Sequence, residues 1–262
     1  MKEWTMRCVK AEMVDKFGVI TLAREEKRNA LSHDLIVDLI EALEFMKTNE
    51  ARAVILRASD SVKTWSAGHD VAELPRNNAD PLRWSDPLEA GIRAINRFPT
   101  TVIAMVHGTV WGGACDLTLN CDLIIGDESC SFAITPAKLG VPYNASGIMH
   151  FLMRLPLNVA KEMFFTALPL SAERALQVGI LNHLVPSQEL ESFTYSMAKH
   201  ICTLSNQSIT VIKEQARIIA DSLSINPETW EYIQELRRKV YQGDHYYEGI
   251  SAFLEKRTPD FA

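Results

Sequence analysis

Short, nearly unbroken apolar runs alternate along the chain with stretches in which apolar residues recur every three or four positions. Val9 to Val14 and Val19 to Leu22 are of the first kind, and Asp15-Lys-Phe-Gly18 between them reads as a hairpin turn. Ala53 to Ala58, Val102 to Val106, Asp122 to Ile125 and Cys130 to Ile134 are equally short and predict buried strands. The second kind predicts helices. One follows Ser32, a good N-cap, with Leu35, Ile36, Leu39, Ile40, Leu43 and Met46 on one side. Others span Pro87 to Phe98, stopped by Pro99, then Ala114 to Asn120, Ala145 to Arg154 and Val159 to Thr166. Ser171 caps a further short helix that ends at Gly179, and Ile180 to Val185 is extended up to Pro186.

From Gln188 onward the chain is mostly helical, with a break at Asn226-Pro227, where proline suits a first helical position. Strands alternate with helices over the first two-thirds and helices fill the last third. That order predicts the α/β class, with a core over residues 1–200 and a C-terminal helical region over 201–262. Periodicity reveals no internal repeat.

Composition narrows the partners. The 262 residues are 47% apolar, enough for a core without staples, and carry a formal net charge of −6. An acidic balance argues against nucleic acid, whose phosphates want a basic face. The five cysteines, Cys8, Cys115, Cys121, Cys130 and Cys202, are odd in number and hold no Cys-x-x-Cys pair, so neither a disulfide framework nor a zinc site is expected. The first residues lack a signal-peptide core and no apolar run has membrane-spanning length. A cytoplasmic protein with no membrane contact is the expectation.

Two turns concentrate the candidate chemistry. In Val106-His-Gly-Thr-Val-Trp-Gly-Gly-Ala114, a glycine pair opens a helix. Without a Cβ in the way, a ligand can approach main-chain N–H groups that the helix leaves unpaired at its positive end. Trp65-Ser-Ala-Gly-His-Asp70 likewise leads from an extended segment through glycine into a short helical segment, Asp70 to Leu74. The N–H groups of His69 and Gly113 would suit one oxygen gaining negative charge, such as a thioester carbonyl becoming an enolate.

The order of Lys27-Arg-Asn-Ala-Leu31, Trp65-Ser-Ala-Gly-His-Asp70, His107-Gly-Thr-Val-Trp-Gly-Gly-Ala114 and Leu139-Gly-Val-Pro-Tyr143 resembles the crotonase (enoyl-CoA hydratase/isomerase) superfamily. The likeness runs over nearly the whole chain, out to Phe253-Leu-Glu-Lys-Arg-Thr-Pro-Asp-Phe261. Within it the Ser-Ala-Gly-His-Asp, Val-Trp-Gly-Gly-Ala and Leu-Gly-Val-Pro-Tyr-Asn elements are similar to the subgroup that decarboxylates methylmalonyl-CoA or malonyl-CoA. The resemblance implies a crotonase-like (ClpP/crotonase) superhelix of ββα units with a C-terminal helical trimerisation region, hence a homotrimer or a dimer of trimers. It implies an acyl-CoA substrate held by Lys27, Ala30, Ala67, Gly68, His69, Asp70, Val71, Gly113, Thr135 and Lys256, with Lys27 to Ala30 beside the adenine and pyrophosphate.

Carboxylates separate the possible reactions. A hydratase of this family uses two glutamates, one for the water and one for the α-proton. Here Asp116 stands at the first position, one methylene short of the usual glutamate, and the second falls at or near Pro136. Asp116 reads equally as a base for a double-bond shift and as a first-turn acid favoured by the helix dipole. The resemblance places Tyr143 and Thr135 where uncharged hydroxyls would orient a substrate carboxylate for loss of CO2. The catalytic candidates are therefore Tyr143, His69, Gly113, Thr135 and Asp116. No metal, biotin or other prosthetic group is expected, because CoA enters with the substrate. The alternatives are an enoyl-CoA isomerase or hydratase using Asp116, and a catalytically silent acyl-CoA-binding protein. On the decarboxylase reading Asp116→Asn should be tolerated.

Overall fold

The computed structural model describes residues 3–76, 79–222 and 225–261. Strand β1 (Glu3–Thr5) precedes a hairpin of β2 (Val9–Val14) and β3 (Phe17–Leu22). The hairpin loop is tighter than the sequence predicts. Asp15 turns the chain with φ 55°, and Phe17 and Gly18 already pair with Val14 and Met13. Gly18 is needed there because the thioether of Met46 lies where a Cβ would stand. Helix α1 (His33–Thr48) starts at Ser32, whose Oγ accepts from the Leu35 N–H at 3.3 Å. Its buried face is Leu35, Ile36, Leu39, Ala42, Leu43 and Met46, with Ile40 only partly covered.

One unit then recurs: a strand of a large sheet, a short strand of a second sheet, and a helix. It comprises β4 (Ala53–Ala58), β5 (Thr64–Ser66) and α2 (Pro87–Asn96), then β6 (Thr101–Val106), β7 (Thr109–Trp111) and α3 (Gly113–Leu119). The third is β8 (Leu123–Asp127), β9 (Ser131–Ala133) and α4 (Ala145–Arg154). Within each sheet these strands pair in parallel. This is the ββα repeat that the resemblance implies. Periodicity hides it because the second strand of each unit is three residues long, and Thr109–Trp111 falls inside the segment that reads as a turn.

Helix α5 (Leu157–Thr166), strand β10 (Leu170–Ser171), helix α6 (Ala172–Gln177) and strand β11 (His183–Val185) follow. The two sheets have the orders β1-β2-β3-β4-β6-β8-β11 and β10-β9-β7-β5. Helices α7 (Leu190–Ile201), α8 (Asn206–Asp221), α9 (Pro227–Tyr241) and α10 (Asp244–Glu255) complete the chain. The large sheet is covered on both faces, which is why its central strands are continuously apolar and not alternating. Phe17, Val19, Ile55, Ile103 and Ile125 meet Leu190, Ala198 and Ile201 of α7. Ile20, Leu22, Val54, Leu56, Val102 and Ala104 face the main core with α1, α2 and α3. Among the described residues no helix is long and apolar enough to cross a membrane.

Candidate active site

Strands β5 and β7 are parallel neighbours, so the turns leaving their C-terminal ends emerge side by side. After β5 comes Ala67-Gly68-His69, and after β7 comes Gly112-Gly113. Gly68 has φ 82°, and a Cβ there would strike the Trp111 carbonyl oxygen. Gly112 caps α3 with φ 52°, and a Cβ on Gly113 would collide with Leu88 and lie 3.6 Å from the His69 nitrogen. The His69 and Gly113 nitrogens thus flank a gap that side chains on these turns would fill. Among the described residues neither N–H donates to a backbone acceptor.

The loop before α1 is stitched to the first of these turns. Arg28 and Asn29 both adopt left-handed backbone, with φ 52° and 50°. That conformation aims the Arg28 carbonyl at the Ala67 N–H (2.9 Å), and the Leu31 N–H at the Gly68 carbonyl (2.8 Å). Asn29 is fully buried: its Nδ2 donates to the Trp65 carbonyl at 3.0 Å, and its own carbonyl accepts from Ser66 Oγ at 2.7 Å. Arg24 pairs with Asp70 at 3.0 Å, and Asp70 also caps the turn that follows it. These bonds hold Lys27 and Ala30 beside His69.

The His69 ring is engaged as well. Its Nε2 lies 3.3 Å from Asp86 Oδ2, while Asp86 Oδ1 caps α2 by accepting from the Leu88 N–H at 2.9 Å. Burial pulls the imidazole pKa down, but the hydrogen bond and charge of Asp86, the Asp70 carbonyl and Glu73 outweigh it. The net value lies above the ordinary one.

Opposite the turns, the Tyr143 hydroxyl donates to Asp116 Oδ2 at 2.9 Å. Asp116 is 1% exposed, and its Oδ1 also meets His150 Nδ1 at 2.8 Å and Asn120 Nδ2 at 2.9 Å. Next to this cluster Asn144 donates to the buried Glu89 carboxylate. Burial, then the Asp116 carboxylate, push the Tyr143 phenol well above its usual range. Burial also raises Glu89; the Asn144 hydrogen bond opposes it and the Asp116 charge adds to it. His150 is lowered by burial but raised further by the hydrogen bond and charge of Asp116, so it too ends above its ordinary value.

A cavity of about 480 Å³ joins these parts. Of the residues singled out in the sequence, Lys27, Ala30, Ala67, His69, Asp70, Val71, Gly113, Thr135 and Tyr143 line it. Three do not. Gly68 acts through backbone shape alone, Asp116 stands behind Tyr143, and Lys256 caps α10 in left-handed backbone while its neighbour Phe253 reaches the wall. Pro136 lines the cavity where a hydratase's second acid is expected, and Thr135 starts the 3-10 turn Pro136–Leu139 with its hydroxyl capping nothing. Lys138, Leu82 and Leu88 also line it and carry no sequence signal of their own. His150 is the larger omission. It meets Asp116 from a position 34 residues along the chain, and no local pattern marks such a contact.

Comparison with known proteins gives a consistent answer. The model of the family described as enoyl-CoA hydratase/isomerase matches residues 13–262. Methylmalonyl-CoA decarboxylase of Escherichia coli (strain K12) is 46% identical over 248 residues, covering 95% of each chain. A solved structure of methylmalonyl-CoA decarboxylase in complex with 2-nitronate-propionyl-CoA superposes with a TM-score of 0.97 at 44% identity, covering 98% of this chain and 99% of that one. Another, complexed with 2S-carboxypropyl CoA, has a TM-score of 0.97 at 44% identity and covers 99% of both chains.

Proposed function

Because the chain belongs to the enoyl-CoA hydratase/isomerase family, we propose that it decarboxylates methylmalonyl-CoA, or malonyl-CoA, to propionyl-CoA or acetyl-CoA. The observation that carries this reading is the wall facing the paired donors. Where water addition would need a second acid there is Pro136, and the nearby polar group is the Tyr143 hydroxyl, with Asp116 withdrawn behind it. A free carboxylate in that wall would repel a substrate carboxylate; a phenol and an apolar surface do not.

The reaction asks little else of the protein. The bond to the leaving carboxylate must stand roughly perpendicular to the thioester plane, so that its electron pair enters the carbonyl π system as CO2 departs. The N–H groups of His69 and Gly113 form an oxyanion hole for the enolate oxygen, and they stabilise it more than the ground-state carbonyl. Leu82, Leu88 and Val141 keep the wall apolar, which weakens the hydration of the carboxylate and favours its loss. Tyr143 and Thr135 orient the carboxylate. Lys27, with Arg28 beside it, meets the phosphates of CoA, and Lys256, which ends α10 outside this cavity, reaches the CoA of a neighbouring subunit. No metal or prosthetic group takes part.

We place the enzyme in the cytoplasm as a homotrimer or a dimer of trimers. Exposed Val211, Ile212, Ile218 and Ile219 on α8, with Trp230 and Tyr232 on α9, give the C-terminal helices the apolar surface that assembly would bury. Light scattering on the purified protein tests the assembly.

The activity is tested by mass-spectrometric product analysis with methylmalonyl-CoA, malonyl-CoA and crotonyl-CoA offered separately. Propionyl-CoA from the first, well above the uncatalysed rate, is the expected result. Hydration or isomerisation of an enoyl-CoA without CO2 loss would move the chemistry to Asp116. Binding of CoA with all three substrates unchanged would leave a silent acyl-CoA-binding protein.

A further inference from the structure

Loss of CO2 is half of the reaction. It leaves an enolate, and a proton must reach the α-carbon before the thioester product forms. Behind the wall facing the paired donors, a chain of groups joins the cavity to solvent. Tyr143 lines the cavity, its hydroxyl bonds Asp116 Oδ2 at 2.9 Å, and Asp116 Oδ1 bonds His150 Nδ1 at 2.8 Å. The His150 side chain is 22% exposed, whereas that of Asp116 is 1% exposed. The chain therefore runs from water, through an imidazole and a buried carboxylate, to a phenol at the cavity.

We propose that His150, through Asp116 and Tyr143, is the relay that carries a proton from solvent to the enolate carbon. This rests on the decarboxylase reading. The Asp116–His150 pair shares one proton. With it on His150, Asp116 is a carboxylate and holds the Tyr143 hydroxyl hydrogen, as observed. With it passed from His150 Nδ1 to the facing Asp116 oxygen, a half-turn of the carboxyl group about Cβ–Cγ carries the new O–H to the Tyr143 side; the carboxylic acid then donates to the Tyr143 oxygen, and the phenol hydrogen is free to face the cavity. The electron pair of the enolate takes that hydrogen to form the C–H bond. In the same step the acid proton of Asp116 passes to the Tyr143 oxygen. A free phenolate is avoided, which matters because burial and the Asp116 charge make one costly. Asp116 returns as a carboxylate, and His150 regains a proton from water.

Asp116 is suited to this by its length. Its side chain is one methylene shorter than glutamate, and it ends against Tyr143, His150 and Asn120 without lining the cavity. The acids facing His150 come from several elements: Asp116 on α3, Glu89 on α2 and Asp221 at the end of α8. Arg93 on α2 stands 3.9 Å from Glu89 and offsets that charge. Arg217 on α8 likewise holds Asp221 at 2.7 Å; against burial, the carboxylates, Asp116 first, still lift the imidazole above its ordinary value and favour its loaded, protonated form.

His150→Asn tests the relay. Asparagine offers an N–H to Asp116 but no titratable proton. In the wild-type enzyme kcat for methylmalonyl-CoA falls as pH rises through the raised pKa of His150, because the loaded form disappears. In H150N we expect kcat to drop roughly 10- to 100-fold, KM to stay within about twofold, and the alkaline limb to vanish. His150→Ala should lose kcat equally, and circular dichroism and thermal melting check that both variants are folded. A kcat of H150N within about twofold of wild type, or an alkaline limb that survives the substitution, overturns the relay while the decarboxylase reading stands. A wild-type enzyme that releases no CO2 overturns the decarboxylase reading, and the relay falls with it.

Discussion

At the scale of single residues, Tyr143 and Asp116 prove inseparable. In the sequence they read as two candidates for two different reactions; in the structure one hydrogen bond of 2.9 Å joins them. Tyr143→Phe should lower kcat about 100-fold while leaving CoA product binding nearly unchanged, measured by steady-state kinetics and product titration. It should also cost about 1–3 kcal/mol of stability, because Asp116 Oδ2 is left buried without its donor. Asp116→Asn, which the sequence reading expects to be tolerated, should instead lower kcat at least about tenfold with little change in KM. An amide neither shuttles a proton nor holds the phenol in the same sense. The paired turns were legible in the chain because glycine beside small residues at strand ends has a specific steric meaning. The Asp116 network was not, because Asp116, Tyr143 and His150 meet only after α3 and α4 have packed.

At the scale of elements, the sequence marked helix starts well. Ser32, Ser171 and Asn226 each cap the helix that the pattern predicts. Boundaries shifted where packing overruled the local signal: α2 ends at Asn96, two residues before Phe98, and β7 emerges from a segment that reads as a turn. Asp86 is the cap that does most for the site, since one carboxylate both starts α2 and holds the His69 ring. Asp86→Ala should cost about 1 kcal/mol from the lost cap, or roughly 2–4 °C in Tm. The His69 contribution carries a sign. A pKa raised in the folded state stabilises fully below the unfolded value, about 6.5, and that stability is lost as pH rises through the folded value. The Tm gap between wild type and D86A should therefore be widest below about pH 6.5 and narrow toward alkaline pH, which a melting series reads directly.

At the scale of the whole molecule, the C-terminal helices close the cavity from outside the ββα core. Arg237 on α9 makes a two-bond pair with Asp80, at 2.6 and 2.8 Å, and the Tyr246 hydroxyl on α10 donates to the Pro75 carbonyl at 2.7 Å. Both partners flank the segment leading to Leu82, a lining residue, and Phe253 completes the wall. Arg237→Ala leaves Asp80 without its ion pair and should cost about 3 kcal/mol in denaturant unfolding, with a raised KM for the acyl-CoA. That long-range pairing could not be read from the chain, because 157 residues separate its members. One property of the paired turns reaches further. Their donors are main-chain N–H groups, set by the parallel neighbours β5 and β7. Short of proline, no exchange of side chain removes such a donor; it can only crowd it. The wall is different, since Asp116, Pro136, Tyr143 and His150 can each be replaced without touching either turn. If the two turns stabilise an enolate as proposed, a lineage built on this frame is free to trade one thioester reaction for another by single substitutions in the wall, each tried against donors that stay in place.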